Sequence, residues 1–85
     1  MSYFFYILRC SDNTLYCGIT TDLDRRLGEH NGKGNGVEKG AKYTRSRRPV
    51  QLIHFEKYEN RSKAMRREYE VKKMSKEEKE KFVIQ

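Results

Sequence analysis

The chain has 85 residues, with 19 Lys and Arg against 12 Asp and Glu, giving a net charge of +7 and a pI near 9.6. A chain this short buries only about 60–65% of its unfolded surface, which excludes two independent cores and makes residues 1–85 a single domain with a thin interior. The basic excess favours a polyanion through release of phosphate counterions, so nucleic acid is the expected partner and a membrane is not.

Tyr3 to Cys10 is dense in aromatic and branched residues with apolar side chains on both faces, the pattern of a central strand. Arg9 interrupts it, and it has neither a cationic leader nor a cleavage-site pattern, so it reads as neither signal peptide nor membrane span. Cys10 and Cys17 lack CxxC or zinc-ligand spacing; they read as packing residues in the reducing cytoplasm. Ser11-Asp12-Asn13 turns the chain into a second strand, Thr14 to Thr20. If those three residues form the loop, Cys10 opposes Thr14, Leu8 opposes Tyr16 and Tyr6 opposes Gly18, so Tyr6 and Tyr16 share a face. A loop of two residues separates them.

Thr21 is expected to cap a helix running from Asp22 to about His30. Leu23, Arg26, Leu27 and His30 fall at i, i+3, i+4 and i+7, so an arginine and a histidine lie on the stripe that faces the sheet and need partners there. Asn31 to Gly40 holds four of the six glycines and reads as a mobile loop away from the core. Lys42, Tyr43, Thr44, Arg45, Arg47 and Arg48 then interleave cations with a stacking ring and a hydroxyl, a composition suited to nucleic-acid phosphates, before Pro49 ends the segment. Val50 to Tyr58 reads as a third strand whose residues sort only loosely by face. Ser62 to Met74 reads as a helix with the stripe Ala64, Glu68, Val71, which again puts a charge where the core should be. Ser75 with Glu78 forms a capping box for a last helix that brings Phe82 and Val83 back to the body. The sum is an α+β domain, a three-stranded antiparallel sheet flanked by helices.

These residues in this order resemble the GIY-YIG nuclease superfamily, and within it the small stand-alone bacterial members. Phe4-Phe5-Tyr6 stands where the family has GIY and Tyr16-Cys17-Gly18 where it has YIG, followed by Arg26, His30 and Glu68. The segments LYCGITTDLDRRLGEHN and GAKYTRSRRP are especially similar to that group. Phe4, Phe5 and Cys17 depart from the motif, while both tyrosines, the glycine, the arginine and the glutamate are kept.

The resemblance implies a metal-dependent endonuclease that hydrolyses a DNA phosphodiester in repair or recombination. Tyr6 would help activate the attacking water, Arg26 contact the scissile phosphate, Tyr16 hydrogen-bond in the site, His30 orient Tyr6 or a water, and Glu68 hold a divalent metal. Elementary chemistry agrees: phosphodiester attack builds negative charge that a planar guanidinium and a cation stabilise. A single carboxylate suits Mg²⁺, with Mn²⁺ as the alternative. A phenol has a pKa near 10, so Tyr6 serves as a base only if Arg26 and the metal lower that value.

Each residue also has a structural reading. The tyrosines fit as core aromatics, Arg26 and Glu68 as an ion pair between helices, His30 as a satisfied helix-end residue, and the Lys42 to Arg48 cluster as a solvated face. The rival functions are a non-catalytic nucleic-acid-binding module and a subunit whose protein partner supplies specificity. DNA is favoured over RNA, and a monomer over an oligomer.

Overall fold

Apolar side chains on both faces put β1 (Tyr3–Arg9) in the middle of a three-stranded antiparallel sheet, with β2 (Leu15–Thr20) on one side and β3 (Gln51–Tyr58) on the other. The computed structural model describes residues 1–32 and 42–83, with the backbone alone at 42, 82 and 83. The expectations about most of the glycine-rich loop, and about Phe82 and Val83 packing on the body, lie outside the described residues.

The hairpin has the three-residue loop. Cys10 N–H donates to the Thr14 carbonyl at 2.9 Å, and Asn13 takes φ +68°, a left-handed conformation that asparagine tolerates. The Asp12 carboxylate accepts from the Thr14 hydroxyl at 2.6 Å and locks the turn. Tyr6 therefore pairs with Gly18 and Leu8 with Tyr16, the register that brings the two tyrosines to one face.

The other pairing of β1 carries a bulge. Ile7 opposes His54 and Leu8 opposes Leu52, so Ile53 is the extra residue. This is why β3 does not sort by simple alternation: the bulge lets Ile53 pack with Phe5 and Ile7 while Leu52 packs with Tyr6 and Leu8.

Each face of β1 has its own core. Phe5, Ile7 and Cys17 pack with Val71 of α3 (Arg61–Lys72), and Tyr6, Leu8, Cys10 and Val50 pack with Leu23 and Leu27 of α1 (Leu23–His30). Burying Phe5 and Ile7 completely stabilises the fold by about 1.5–3 kcal/mol each.

The helix ends differ in detail from expectation. The N-cap of α1 is Asp22, not Thr21: its carboxylate accepts from Arg25 N–H at 3.1 Å, while the Thr20 hydroxyl accepts from Asp22 N–H at 3.1 Å. A carboxylate at that point meets both the orphan donors and the positive end of the dipole. Helix α3 starts at Arg61, because the Asn60 side chain accepts from Lys63 N–H at 2.9 Å. Between the sheet strands lies a single turn, α2 (Lys42–Arg45), and the chain closes with α4 (Lys76–Val83). Both arms of the Ser75–Glu78 capping box form. Arg9 reaches across from β1 to grip Glu80 with two hydrogen bonds of 2.8 and 2.6 Å, fixing α4 to the sheet.

Asn31 is not part of a free loop. It caps α1, and its side-chain amide donates to the Val50 carbonyl at 3.0 Å while accepting from Val50 N–H at 2.7 Å. Two bonds to one residue hold the end of α1 against the start of β3.

Candidate active site

The polar stripe on α1 finds its partners around Tyr6. The Tyr6 side chain leans over Gly18 on β2, where a Cβ would stand 2.5 Å from its hydroxyl oxygen, so only glycine leaves room for the ring. The hydroxyl lies 2.8 Å from His30 Nε2, and His30 Nδ1 lies 2.8 Å from the Thr44 hydroxyl. Arg26 stands against the same phenol through a hydrogen bond that acts to lower its pKa.

These contacts assign the protons. A guanidinium only donates, so the phenol oxygen accepts from Arg26 and directs its own proton to Nε2; the neutral ring then carries its proton on Nδ1, facing Thr44. Burial keeps both groups neutral. It pushes Tyr6 up to about 12 despite the opposing pull of Arg26, and it pushes His30 down to about 4, with Arg26 reinforcing that shift. Arg26 by itself does not bring about the lowering expected of Arg26 and a metal together: desolvation of a ring 2% exposed is the larger effect.

Tyr16 joins from the neighbouring strand. Its ring meets His30 edge-on with centroids 5.2 Å apart and stacks on Tyr43 at 5.7 Å, and the Arg47 guanidinium covers the Tyr43 ring at 4.1 Å. Glu68 comes from α3, on the far side of the sheet edge, yet its charge acts on Tyr6 and also on Cys17. Its ion pair is with Lys72 at 3.6 Å, whereas Arg26 bonds Glu29 at 2.9 Å. Glu68 is thus not locked into a bridge with Arg26. The Arg26–Glu29 pair sits at i and i+3 on one helix, a spacing that the sequence itself displays.

The basic segment divides by role. Thr44, expected on the phosphate-facing surface, is fully buried and orients His30 instead. Arg48 donates to the His30 carbonyl at 2.6 Å, closing the end of α1, and Arg47 bonds Asp12 at 3.0 Å and the Tyr43 carbonyl at 2.9 Å. Arg45 and Tyr43 remain exposed to a partner; the Lys42 side chain lies outside the described residues.

A second polar cluster escaped the sequence reading. Glu56 accepts from Arg67 at 2.9 Å, lies 2.8 Å from His54 Nε2, and accepts from the Tyr58 hydroxyl, tying β3 to α3. Burial pushes its carboxyl up, and these donors outweigh that and hold it low.

Donor chemistry limits what metal the site can hold. Among the described residues no group of three His, Cys, Asp or Glu side chains is arranged around a common point, so no all-protein cage is present there. Glu68, 23% exposed and held by Lys72 only loosely, offers a lone carboxylate. That fits a hydrated Mg²⁺-type ion, which keeps most of its waters, better than zinc.

A buried tyrosine with a half-buried one beside it, an arginine, a histidine and a separate carboxylate on one such sheet edge define a nuclease-type domain. Residues 2–81 match the GIY-YIG catalytic domain, so the chain belongs to the GIY-YIG family, whose members are nucleases acting on nucleic acid and are generally dependent on a divalent metal. It is similar to a UPF0213 protein of Listeria monocytogenes, 51% identical over 83 residues that cover 98% of this chain and 88% of that protein. Two solution NMR structures share the fold: a protein of E. faecalis (46% identity, TM-score 0.64) and the UPF0213 protein of Bacillus halodurans (44%, TM-score 0.60). Each alignment covers 98% of this chain and 83% of the other. No described helix is long and apolar enough to cross a membrane.

Proposed function

We propose that this chain is a monomeric, metal-dependent endonuclease that hydrolyses a phosphodiester of structured DNA during repair or recombination in the cytoplasm. The observation that carries the reading is the environment of Tyr6: His30 at hydrogen-bond distance and Arg26 bonded to the same phenol.

In this reading Arg26 presents its planar fork to the scissile phosphate. The phenol receives a proton from the attacking water as its own proton passes to His30 Nε2; the water oxygen bonds to phosphorus and the bond to the leaving oxygen breaks. Thr44 keeps the imidazole in the tautomer that can accept. Tyr16 fills the space beside His30 and keeps bulk water from that proton path. Glu68 would hold the divalent ion, Mg²⁺ or Mn²⁺, which when bound stabilises the negative charge developing on the phosphate. Two buried free thiols, Cys10 and Cys17, suit a reducing compartment.

The exposed ring of Tyr43 and guanidinium of Arg45 suit a second reading as well, a recognition module that keeps the scaffold without the chemistry, alone or beside a protein partner. Labelled duplex, single-stranded, flap and four-way-junction DNAs with Mg²⁺ or Mn²⁺ separate the two. The nuclease reading expects cleavage that Glu68→Ala and Arg26→Ala both abolish, with binding kept by Glu68→Ala. Binding to every substrate without cleavage of any overturns it.

A further inference from the structure

The sheet face that carries Tyr6 is only partly covered. Leu23 and Leu27 pack on Tyr6, Leu8, Cys10 and Val50, whereas Phe4 and Phe55 belong to neither core cluster. Phe55 directly opposes Tyr6 across β1 and β3, so the two side chains share a face, and it is 53% exposed. Folding gains little from a ring left in water on an edge strand.

The ring is nevertheless braced. Phe4 meets it edge-on, with centroids 6.1 Å apart and planes at 68°. Phe4 stands where the family motif has its first glycine, so the brace belongs to this chain rather than to the motif. Lys57, exposed and opposite Phe4, places a cation on the same face two residues along.

The Tyr6 phenol leans toward β2 and Phe55 lies on β3, so the two are separated by about two strand spacings, about 10 Å. That is within reach of a nucleotide adjoining one whose phosphate sits at Arg26. A base in a continuous duplex has both faces stacked, and reaches such a ring only after leaving the helix.

We propose that Phe55, braced by Phe4 and flanked by Lys57, stacks an unpaired base of the strand whose phosphate lies at Arg26 and Tyr6, so that the site takes single-stranded or frayed nucleic acid in preference to continuous duplex. This rests on the reading of Tyr6 and Arg26 as the phosphate site. Stacking on an aromatic ring tolerates any base, so the preference is for strand state and not for sequence.

Binding measured in EDTA, where no metal supports cleavage, tests it without relying on activity. Fluorescence anisotropy is read with labelled dT-rich and rU-rich single strands and a matched duplex, for wild type, Phe55→Ala and Phe55→Trp. The proposal expects Phe55→Ala to bind single strands about tenfold more weakly, to bind duplex within about twofold of wild type, and to be rescued by Phe55→Trp. An abasic residue walked along the strand should weaken wild type at one position and leave Phe55→Ala indifferent to it. Phe55→Ala binding both single strands like wild type, with its circular dichroism unchanged, overturns the proposal. The nuclease reading fails in a different experiment: there the wild type cleaves nothing with metal, even while Phe55-dependent binding persists.

Discussion

Tyr6 and Gly18 face each other across β1 and β2 so closely that the phenol occupies the space a side chain at 18 would need. An alanine Cβ there would stand 2.5 Å from the hydroxyl oxygen and 2.6 Å from Cζ. Gly18→Ala should therefore push the ring off His30 and Arg26, lower stability by about 1–3 kcal/mol, and reduce cleavage at least tenfold, about 1.4 kcal/mol in barrier. Adding Tyr6→Phe removes the atom nearest the clash, so the double variant should recover part of the stability and none of the activity. Urea titrations on the three variants read the coupling. Strictly additive losses would contradict the contact.

The His30 ring gives stability a pH dependence with a definite sign. Its folded pKa, about 4, lies below the ordinary 6.5, so the unfolded chain binds the proton more readily. The stabilisation is fully present above about pH 6.5 and is lost as pH falls toward 4; for a ring with no exposed surface it amounts to about 3 kcal/mol. His30→Gln should lose this component of the slope while keeping the contribution of the carboxylates. Urea unfolding of both chains between pH 7 and 4 compares them, and parallel curves would show that His30 does not titrate this way.

Thr44 and Arg45 are neighbours with opposite roles. Thr44→Val removes the hydroxyl that meets His30 Nδ1 in the same volume, leaving a buried N–H without its acceptor and lowering stability by about 1–3 kcal/mol. Nucleic-acid affinity and its salt dependence should stay as they were. Arg45→Ala should flatten the slope of log affinity against log salt by about 1. The reverse pattern would put Thr44 back on the binding surface.

The Asn31 clamp should show in stability alone. Asn31→Ala removes both bonds to Val50, whose N–H then lies buried without an acceptor, and should lower the unfolding free energy by about 2 kcal/mol. For a domain of this size that is a fall in Tm of about 8–16 °C by differential scanning calorimetry.

What was legible in the sequence was what local spacing controls. Of the two loop lengths the sequence allows, the folded hairpin has the three-residue one that joins Tyr6, Tyr16 and Gly18, whereas spacing alone, the i, i+3, i+4, i+7 stripe, marks Arg26 and His30 as polar groups in need of partners. Glu68 announced itself as a charge on the apolar stripe of α3. Partners set by the folded chain were not legible: Thr44 meets His30 across 14 positions and Val50 meets Asn31 across 19. Nothing in the composition of the basic segment distinguishes the buried hydroxyl of Thr44 from the exposed cation of Arg45. The sign of the Tyr6 shift depends on how deeply the ring is buried against how strongly Arg26 pulls, a balance between two large effects that residue types alone do not decide.

Single-turnover cleavage of a flap DNA with Mg²⁺, comparing wild type, Tyr6→Phe and Glu68→Gln, tests the central claim most directly. The account predicts measurable cleavage by wild type, a loss of at least a hundredfold, about 2.7 kcal/mol, in each variant, and retained DNA affinity in both. Cleavage by Tyr6→Phe at the wild-type rate would contradict it, since the phenol that His30 and Arg26 both meet would then take no part in the reaction.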